Sequence, residues 1–262
     1  MQGLGGMIRK RKAEKTQPGN PHGLTRKQHI LPVRSIERFS GKDGCVSVLF
    51  KEGQERGISK RIPPKEGIFW AERVWDQRSE VIMKKVCEDP FQELAERIIT
   101  GKIQSIGPDD NITATVFWGL WRARFQSKLN PPEVRPAIDC CTGIESKDLR
   151  ETIEKKHGMF INPDGTLPGR AIAGMDIQKL IDRTLMEFEN WNWAIAAAEE
   201  PEFIVPDCPR FMYIPISPKK SLLASDQNFN GTINLTRENM AVINKSLFEV
   251  AEKYIFGNSI NL

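Results

Sequence analysis

Two kinds of hydrophobic spacing divide this chain of 262 residues. Short apolar runs at 45–50 and 57–62 are separated by a polar connection and predict two strands joined as a hairpin. From about residue 78 to residue 188 the apolar positions recur at intervals of three and four, which predicts a series of helices. Pro90 is expected to break or kink the first of these helices, because proline lacks a backbone N–H.

Strand-like spacing returns after Asn190. Four short apolar segments, 191–198, 203–205, 211–216 and 221–224, predict a small meander. The segment 236–256 then carries an apolar face at helical spacing and precedes Gly257, so it predicts a C-terminal helix. The expected fold is therefore α+β: a central helical bundle packed against a small, mostly antiparallel sheet, with an N-terminal hairpin and a C-terminal helix.

Positive charge is concentrated at the start of the chain, where residues 1–28 hold seven of the lysines and arginines and a single glutamate. Residues 1–25 are also rich in glycine and polar residues, so we expect a flexible basic arm, followed by a single domain over 26–262. The arm is either a solvated tail or a contact to nucleic-acid phosphates. The candidate contacts are Arg9, Lys10, Arg11 and Lys12.

Several classes of function are disfavoured by the sequence. The longest apolar runs are too short to span a membrane and the first residues lack the apolar stretch of a secretory signal, so we expect a cytoplasmic protein without membrane contact. The five cysteines include no C-x-x-C pair, and no phosphate-binding or dinucleotide-binding loop is present. We therefore expect neither a metal nor a cofactor.

Three ionisable residues are candidates for a site. His29 precedes Pro32, Asp207 stands between two prolines, and Arg122 lies on a predicted helix. A histidine can transfer protons near neutral pH and an aspartate can orient it, while the planar guanidinium of an arginine binds phosphate or carboxylate. Together they would suit metal-independent phosphodiester cleavage or anion binding.

The order of several short motifs resembles the domain-of-unknown-function 4238 family. The motifs are Lys27-Gln-His-Ile-x-Pro32, Arg38-Phe-Ser40, Trp121-Arg122, Phe203-Ile-x-x-Asp-x-Pro209, Ile214-Pro-Ile-Ser-Pro218, Ile243-Asn-x-x-Leu247 and Tyr254-Ile-Phe256. The resemblance covers nearly the whole chain after residue 25 and implies an α+β domain of bacteria or their phages with no settled activity. It carries the family's histidine onto His29, its helix arginine onto Arg122 and its Asp-x-Pro onto Asp207. The chain differs at Ala123-Arg124, where the family pattern leads us to expect a Thr-Pro-like step.

Two interpretations of function remain open. In the first, the protein is a nucleic-acid- or phosphate-directed enzyme or effector, such as a nuclease, with His29 as acid or base, Asp207 as its orienter or a metal ligand, and Arg122 as the anion clamp. In the second, it is a non-catalytic interaction or defence-associated protein in which the same residues hold the fold. A nuclease-like arrangement of Asp139 with Glu145-Ser146-Lys147 is a weaker match, because the Glu-x-Lys segment is predicted to begin a helix rather than to lie on a strand.

Overall fold

The computed structural model describes residues 14–137, 143–227 and 231–261, and these confirm an α+β fold. The helices are α1 (Val33–Glu37), α2 (Gln77–Met83), α3 (Asp89–Ile99), α4 (Pro108–Leu129), α5 (Lys147–Lys155), α6 (Gly169–Glu187) and α7 (Arg237–Val250). The strands are β1 (Lys27–His29), β2 (Val46–Phe50), β3 (Ser59–Ile62), β4 (Trp70–Glu72), β5 (Arg135–Pro136), β6 (Thr166–Leu167), β7 (Asn192–Ala197), β8 (Val205–Pro206), β9 (Tyr213–Ser217), β10 (Lys220–Ser225), β11 (Thr232–Asn234) and β12 (Tyr254–Gly257).

The strands form two larger sheets and two short ladders. One sheet has the order β11-β7-β10-β9 and is antiparallel except for the β11–β7 pair. The other has the order β3-β2-β12-β8 and is antiparallel throughout. It joins strands from the first part of the chain, β2 and β3, to strands from the last part, β8 and β12. Strands β1 and β4, which precede β2 and follow β3 in the chain, form a separate antiparallel pair. This second sheet places the Asp207 segment beside the last strand.

The expected C-terminal helix over 236–256 is wrong in its last third. Helix α7 ends at Val250, and Tyr254–Gly257 is the buried strand β12. Residues 254–256 are aromatic or β-branched, which suits a strand. Strand β12 pairs with β2 on one side and with β8 on the other. The N–H groups of Glu252 and Lys253 donate hydrogen bonds to the Asp207 carboxylate instead of to the carbonyl groups of a preceding helical turn.

Helices α2 and α3 are joined by a π-helical turn, Lys84–Glu88, directly before Pro90. Since proline has no N–H and its ring collides with the preceding turn, a locally widened turn lets the helical path continue past it. The turn also directs the Glu88 side chain toward α4. The predicted irregularity at Pro90 is therefore a π turn rather than a break.

Helix α4 runs through the centre of the structure and is buried on nearly every side. Its closest helical neighbour is α6, and a Cβ added at Gly119 would lie 3.2 Å from Thr184 Cβ, so glycine permits the close approach of the two helices. The part of the predicted arm that is described begins at Glu14 and contacts α5, where the Gln17 N–H donates to Glu151 Oε1 at 2.8 Å. Among the described residues, no helix is both long and apolar enough to cross a bilayer.

Candidate functional site

Asp207 follows β8 and holds the turn that leads into β12. Its Oδ1 accepts the Glu252 N–H at 2.8 Å and its Oδ2 accepts the Lys253 N–H at 2.9 Å. Its own N–H donates to the Tyr254 carbonyl at 3.1 Å. The two prolines that flank the aspartate limit the backbone around it, so the carboxylate has a fixed position. Each carboxylate oxygen keeps a further lone pair for another partner.

A cleft of about 420 Å³ lies beside this carboxylate. Its walls are mainly apolar and its charged groups come from both ends of the chain and from the C-terminal end of α4. The lining residues are Ile30, Phe50, Glu52, Gly53, Gly67, Ile68, Phe125, Lys128, Leu129, Asp207, Glu252, Lys253 and Tyr254. This size and composition are typical of small-molecule sites, which are about 300–1,000 Å³, mostly apolar and furnished with few polar groups. We refer to it as the Asp207 cleft.

Lys128 and Tyr254 are held at the cleft by one shared acceptor. Lys128 Nζ and Tyr254 Oη both donate to the Ile68 carbonyl, each at 3.0 Å. Tyr254 is buried, whereas Lys128 is half-buried and keeps two further N–H donors. Among the described residues no ion pair is formed by Lys128 or by Asp207. The two are nevertheless close enough for the charge of each to affect the pKa of the other.

Burial shifts both titratable groups toward their neutral forms. It raises the pKa of the Asp207 carboxyl above its usual value, against the opposing effect of the two backbone N–H groups. Burial, together with the neighbouring Lys253, lowers the pKa of the Lys128 ammonium. A carboxyl and an ammonium whose charged forms are both disfavoured are equipped to exchange protons with a third group.

His29 ends β1, opposite Trp70 of β4. Burial, and then the positive charges of Arg124, Lys27 and Lys65, lower its pKa to about 4. Its Nε2 atom is buried and has no hydrogen-bond partner among the described residues. The imidazole is therefore neutral at physiological pH. Ile30, the next residue, lines the Asp207 cleft, but His29 itself does not.

Arg122 points away from this region because of its position on α4. Its Nη1 lies 3.3 Å from Glu187 Oε2 on α6, and its guanidinium lies over the Trp118 ring with 5.5 Å between the guanidinium carbon and the ring centre. Within the described parts of the chain, no hydrogen bond or ion pair joins His29, Arg122 and Asp207 to one another. The three predicted site residues thus have separate immediate surroundings.

The arginine of α4 that faces His29 is Arg124. Two residues along a helix correspond to about 200° of rotation, so Arg122 and Arg124 lie on opposite faces, while Arg124 and Lys128 share one face about 6 Å apart along the axis. Arg124 follows Phe117, Leu120 and Trp121 at core spacing. That spacing is the signal that could have identified it in the sequence, in place of the neighbouring Trp121-Arg122 motif.

Arg124 belongs to a closed cluster of buried charges. Its Nη2 lies 2.6 Å from Glu88 Oε1 and 3.7 Å from Glu80 Oε2. The Trp75 indole N–H donates to the same Glu80 oxygen at 2.6 Å, and the guanidinium carbon lies 5.3 Å from the Trp75 ring centre. Both carboxylates and the indole are therefore arranged around one cation, and these ion pairs favour a structural role, although Arg124 Nε and Nη2 have no partner of hydrogen-bond geometry among the described residues. We call this set the Arg124 cluster.

The remaining sequence candidates add little to the site. Arg9, Lys10, Arg11 and Lys12 lie outside the described residues, as does Asp139. Ser146 caps α5, which begins at Lys147, so the Glu-x-Lys segment precedes a helix as expected. No group of three or more histidine, cysteine, aspartate or glutamate side chains in the described ranges is placed to hold a metal ion.

Comparisons with known proteins do not assign the chain to a group. No model of a known family matches it, and neither a curated protein nor a solved structure does so. The resemblance noted in the sequence remains a prediction.

Proposed function

We propose that the protein binds a small organic anion in the Asp207 cleft and acts on it by acid–base chemistry. The observation that carries the proposal is the convergence of Asp207 and Lys128, unpaired with each other, on one apolar cleft. Buried ionisable groups with displaced pKa values in a cleft of ligand size are the usual features of a reactive site.

The charges of the cleft favour a ligand with a single anionic group. Glu252 is paired with Arg210, and Glu52 is exposed at the rim. The half-buried charges are then Lys128 and Asp207, so Lys128 is the inner cation that can hold an anionic group, and Lys253 is exposed at the rim. Phosphate esters and carboxylates meet this requirement. An extended nucleic acid would need more positive charge along its backbone than these two lysines supply.

The apolar walls favour an aromatic or aliphatic body on the same ligand. Phe50, Ile68 and Phe125 provide apolar surface, and burying it contributes roughly 25 cal/mol for each Å² removed from water. Lys128 would hold the anionic group, since its ammonium keeps two free donors. Asp207 would accept or donate the proton, since its carboxyl has a raised pKa and a fixed position.

This assignment refines the phosphate-directed enzyme expected from the sequence. Asp207 keeps a role, Lys128 replaces Arg122 as the anion-binding group, and the acid–base role moves from His29 to Asp207. A neutral, half-buried imidazole with a pKa of about 4 is a poor base, because little driving force remains for it to take a proton.

Turnover of small esters tests the proposal. We expect the full chain to hydrolyse p-nitrophenyl phosphate, and Asp207→Asn to lower kcat/KM by about 10²- to 10⁴-fold, the usual contribution of a general acid or base. Lys128→Gln should raise KM more than it lowers kcat. Arg122→Gln is the matched control on the opposite face of α4 and should retain full activity. Single-stranded RNA and DNA serve as alternative substrates.

Three outcomes decide the matter, provided that circular dichroism shows folded variants. Loss of ester hydrolysis in Asp207→Asn with Arg122→Gln intact supports the cleft. Cleavage of RNA or DNA that depends on His29 and Arg122 would instead support the site of His29, Arg122 and Asp207 that the sequence predicts. No turnover of any substrate, or equal turnover in wild type and Asp207→Asn, overturns the enzymatic assignment.

The non-catalytic interpretation is favoured by one specific contact. Both Asp207 oxygens accept backbone N–H groups of the turn before β12, which is the pattern of a structural clamp. In that case Asp207→Asn lowers stability without affecting any bound ligand, and Lys128→Gln has no effect on ligand affinity.

A further inference from the structure

A second set of buried charges lies where α5, α6 and the end of β4 meet. Arg73 Nη2 donates to Glu154 Oε2 at 2.6 Å, and Arg170 Nε donates to the same oxygen at 2.9 Å. Both arginines and the glutamate are almost fully buried, with side chains 2%, 6% and 4% exposed. Two guanidinium groups thus share one buried carboxylate in direct contact, and the buried carboxylate of Glu151 also acts on Arg73 electrostatically.

Glu14 contacts both arginines from a far more exposed position. Its carboxylate pairs with Arg170 Nη1, and its carbonyl accepts from Arg73 Nη1 at 3.2 Å. The Glu14 side chain is 46% exposed, so this contact can be exchanged for another anion at little cost in solvation. Arg73 Nε is buried and has no partner among the described residues.

Open space surrounds the contact on both sides. A cleft of about 390 Å³ is lined by Glu14, Arg73, Asn162, Gly169 and Arg170, among others. A second cleft, of about 230 Å³, is also lined by Glu14 and Arg73 and continues along the chain from Lys15 to Gly19. Glu14, Glu72 and Arg73 line both clefts, so the Glu14 side chain lies where they adjoin.

Local backbone features make the same place favourable for an anion. Arg170 is the second residue of α6, whose N-cap, Pro168, provides no side-chain cap and whose first turn has no acidic residue. The positive end of this helix is thus uncompensated within its own sequence. Arg73 has φ = +48°, a left-handed conformation that is uncommon for residues other than glycine and is frequent at binding sites.

We propose that Arg73 and Arg170 form a binding site for a small oxyanion, and that the Glu14 carboxylate occupies this site when the oxyanion is absent. The ligand chemistry is a carboxylate or phosphate group, because a guanidinium binds either with parallel N–H donors. The site is separate from the Asp207 cleft, with which it shares no lining residue. Ligand binding would release the Glu14 segment from α6.

Calorimetric titration of the full chain with inorganic phosphate, and separately with malonate, tests the site at constant ionic strength. Glu14→Ala removes the competing carboxylate, so we expect it to bind at least one of these anions about tenfold more tightly than wild type. Glu199→Ala is the control for net charge, since Glu199 pairs with Lys219 and is 90% exposed. It should leave the affinity unchanged.

A second substitution identifies the arginine. Arg170→Lys, made in the Glu14→Ala background, keeps the charge beside Glu154 but removes the planar pair of donors, and it should abolish the gain in affinity. Tightening by phosphate alone assigns a phosphate group and tightening by malonate alone a carboxylate. Equal affinity in wild type and Glu14→Ala, an equal gain in Glu199→Ala, or no binding by either protein overturns the proposal.

Discussion

The Asp207 cleft and the Arg124 cluster both place charges against one face of α4, yet they differ in how those charges are satisfied. In the Arg124 cluster, Glu88 and Glu80 surround one guanidinium and Trp75 covers it. In the cleft, Lys128 and Asp207 are held by backbone groups and face open space. Charges paired with one another are engaged within the fold, whereas charges fixed separately beside a cleft are available to a ligand.

The largest effect on stability is expected from Arg124→Met. This substitution keeps much of the side-chain volume but leaves Glu88 and Glu80 without their cation, which costs about 3–5 kcal/mol when one partner of a buried ion pair is removed. Urea unfolding followed by circular dichroism measures the change. A loss below about 1 kcal/mol would show that the two carboxylates are solvated or protonated and that the cluster is not structural.

Asp207→Ala should destabilise the protein less than Arg124→Met. It leaves the N–H groups of Glu252 and Lys253 without their acceptor, and unsatisfied groups of this kind cost about 1–3 kcal/mol. Hydrogen exchange of these two amides, together with urea unfolding, locates the effect. The comparison between the two regions fails if Asp207→Ala is the more destabilising of the two substitutions.

His29 gives the stability a dependence on pH that is opposite in sign to that of Asp207, because folding lowers the pKa of His29 and raises that of Asp207. Its pKa is about 4 in the folded chain and 6.5 in the unfolded chain. Below pH 6.5 His29 takes up a proton in the unfolded chain but stays neutral in the folded chain. The free energy of unfolding is therefore highest above pH 6.5 and falls as the pH decreases toward 4. Since the imidazole is only partly buried, we predict the direction and not the magnitude.

Unfolding free energies at several pH values between about 4 and 7 test this dependence. His29→Gln should lose less stability over this interval than wild type. His157→Asn is a matched control, because His157 is exposed and asparagine tolerates its positive φ. If His29→Gln and wild type fall in parallel, His29 does not carry the effect.

The smallest effect is expected at Arg122, the arginine that the sequence motif favoured. Its ion pair with Glu187 is partly exposed, with side chains 28% and 47% accessible, so Arg122→Ala should cost at most about 1 kcal/mol. Thermal unfolding at low and high salt measures this, and the difference from wild type should shrink with salt. A loss as large as that of Arg124→Met would reverse the assignment of the two faces of α4.

Local signals in the sequence identified much of the fold but only part of the site. The apolar spacing gave the α+β class, and the prolines beside Asp207 marked a rigid position at a strand end. Arg124 was accessible to the same reasoning, since it continues the core spacing of Phe117 and Leu120, but the Trp121-Arg122 motif indicated Arg122, on the opposite face. The helical period is a better guide here than the adjacent motif.

Other parts of the site depend on contacts that no local pattern contains. Lys128 and Tyr254 meet at the Ile68 carbonyl, so three distant segments define one position. The end of α7 is likewise decided by Asp207, which takes the amides that a longer helix would have used. The helical spacing of apolar residues over 236–256 does not predict this early end, because Asp207 is distant in sequence and contacts the turn only in the folded structure.

Binding of 8-anilinonaphthalene-1-sulfonate tests the central claim most directly, since this fluorescent probe combines an apolar body with one anionic group. The account predicts a single saturable site in wild type, with a Kd at least about tenfold higher in Lys128→Gln, because a hydrogen bond to a charged group is worth about 1.5–3 kcal/mol. Arg122→Gln should bind as wild type does. Equal affinity in wild type and Lys128→Gln would contradict the assignment of the Asp207 cleft as the ligand site.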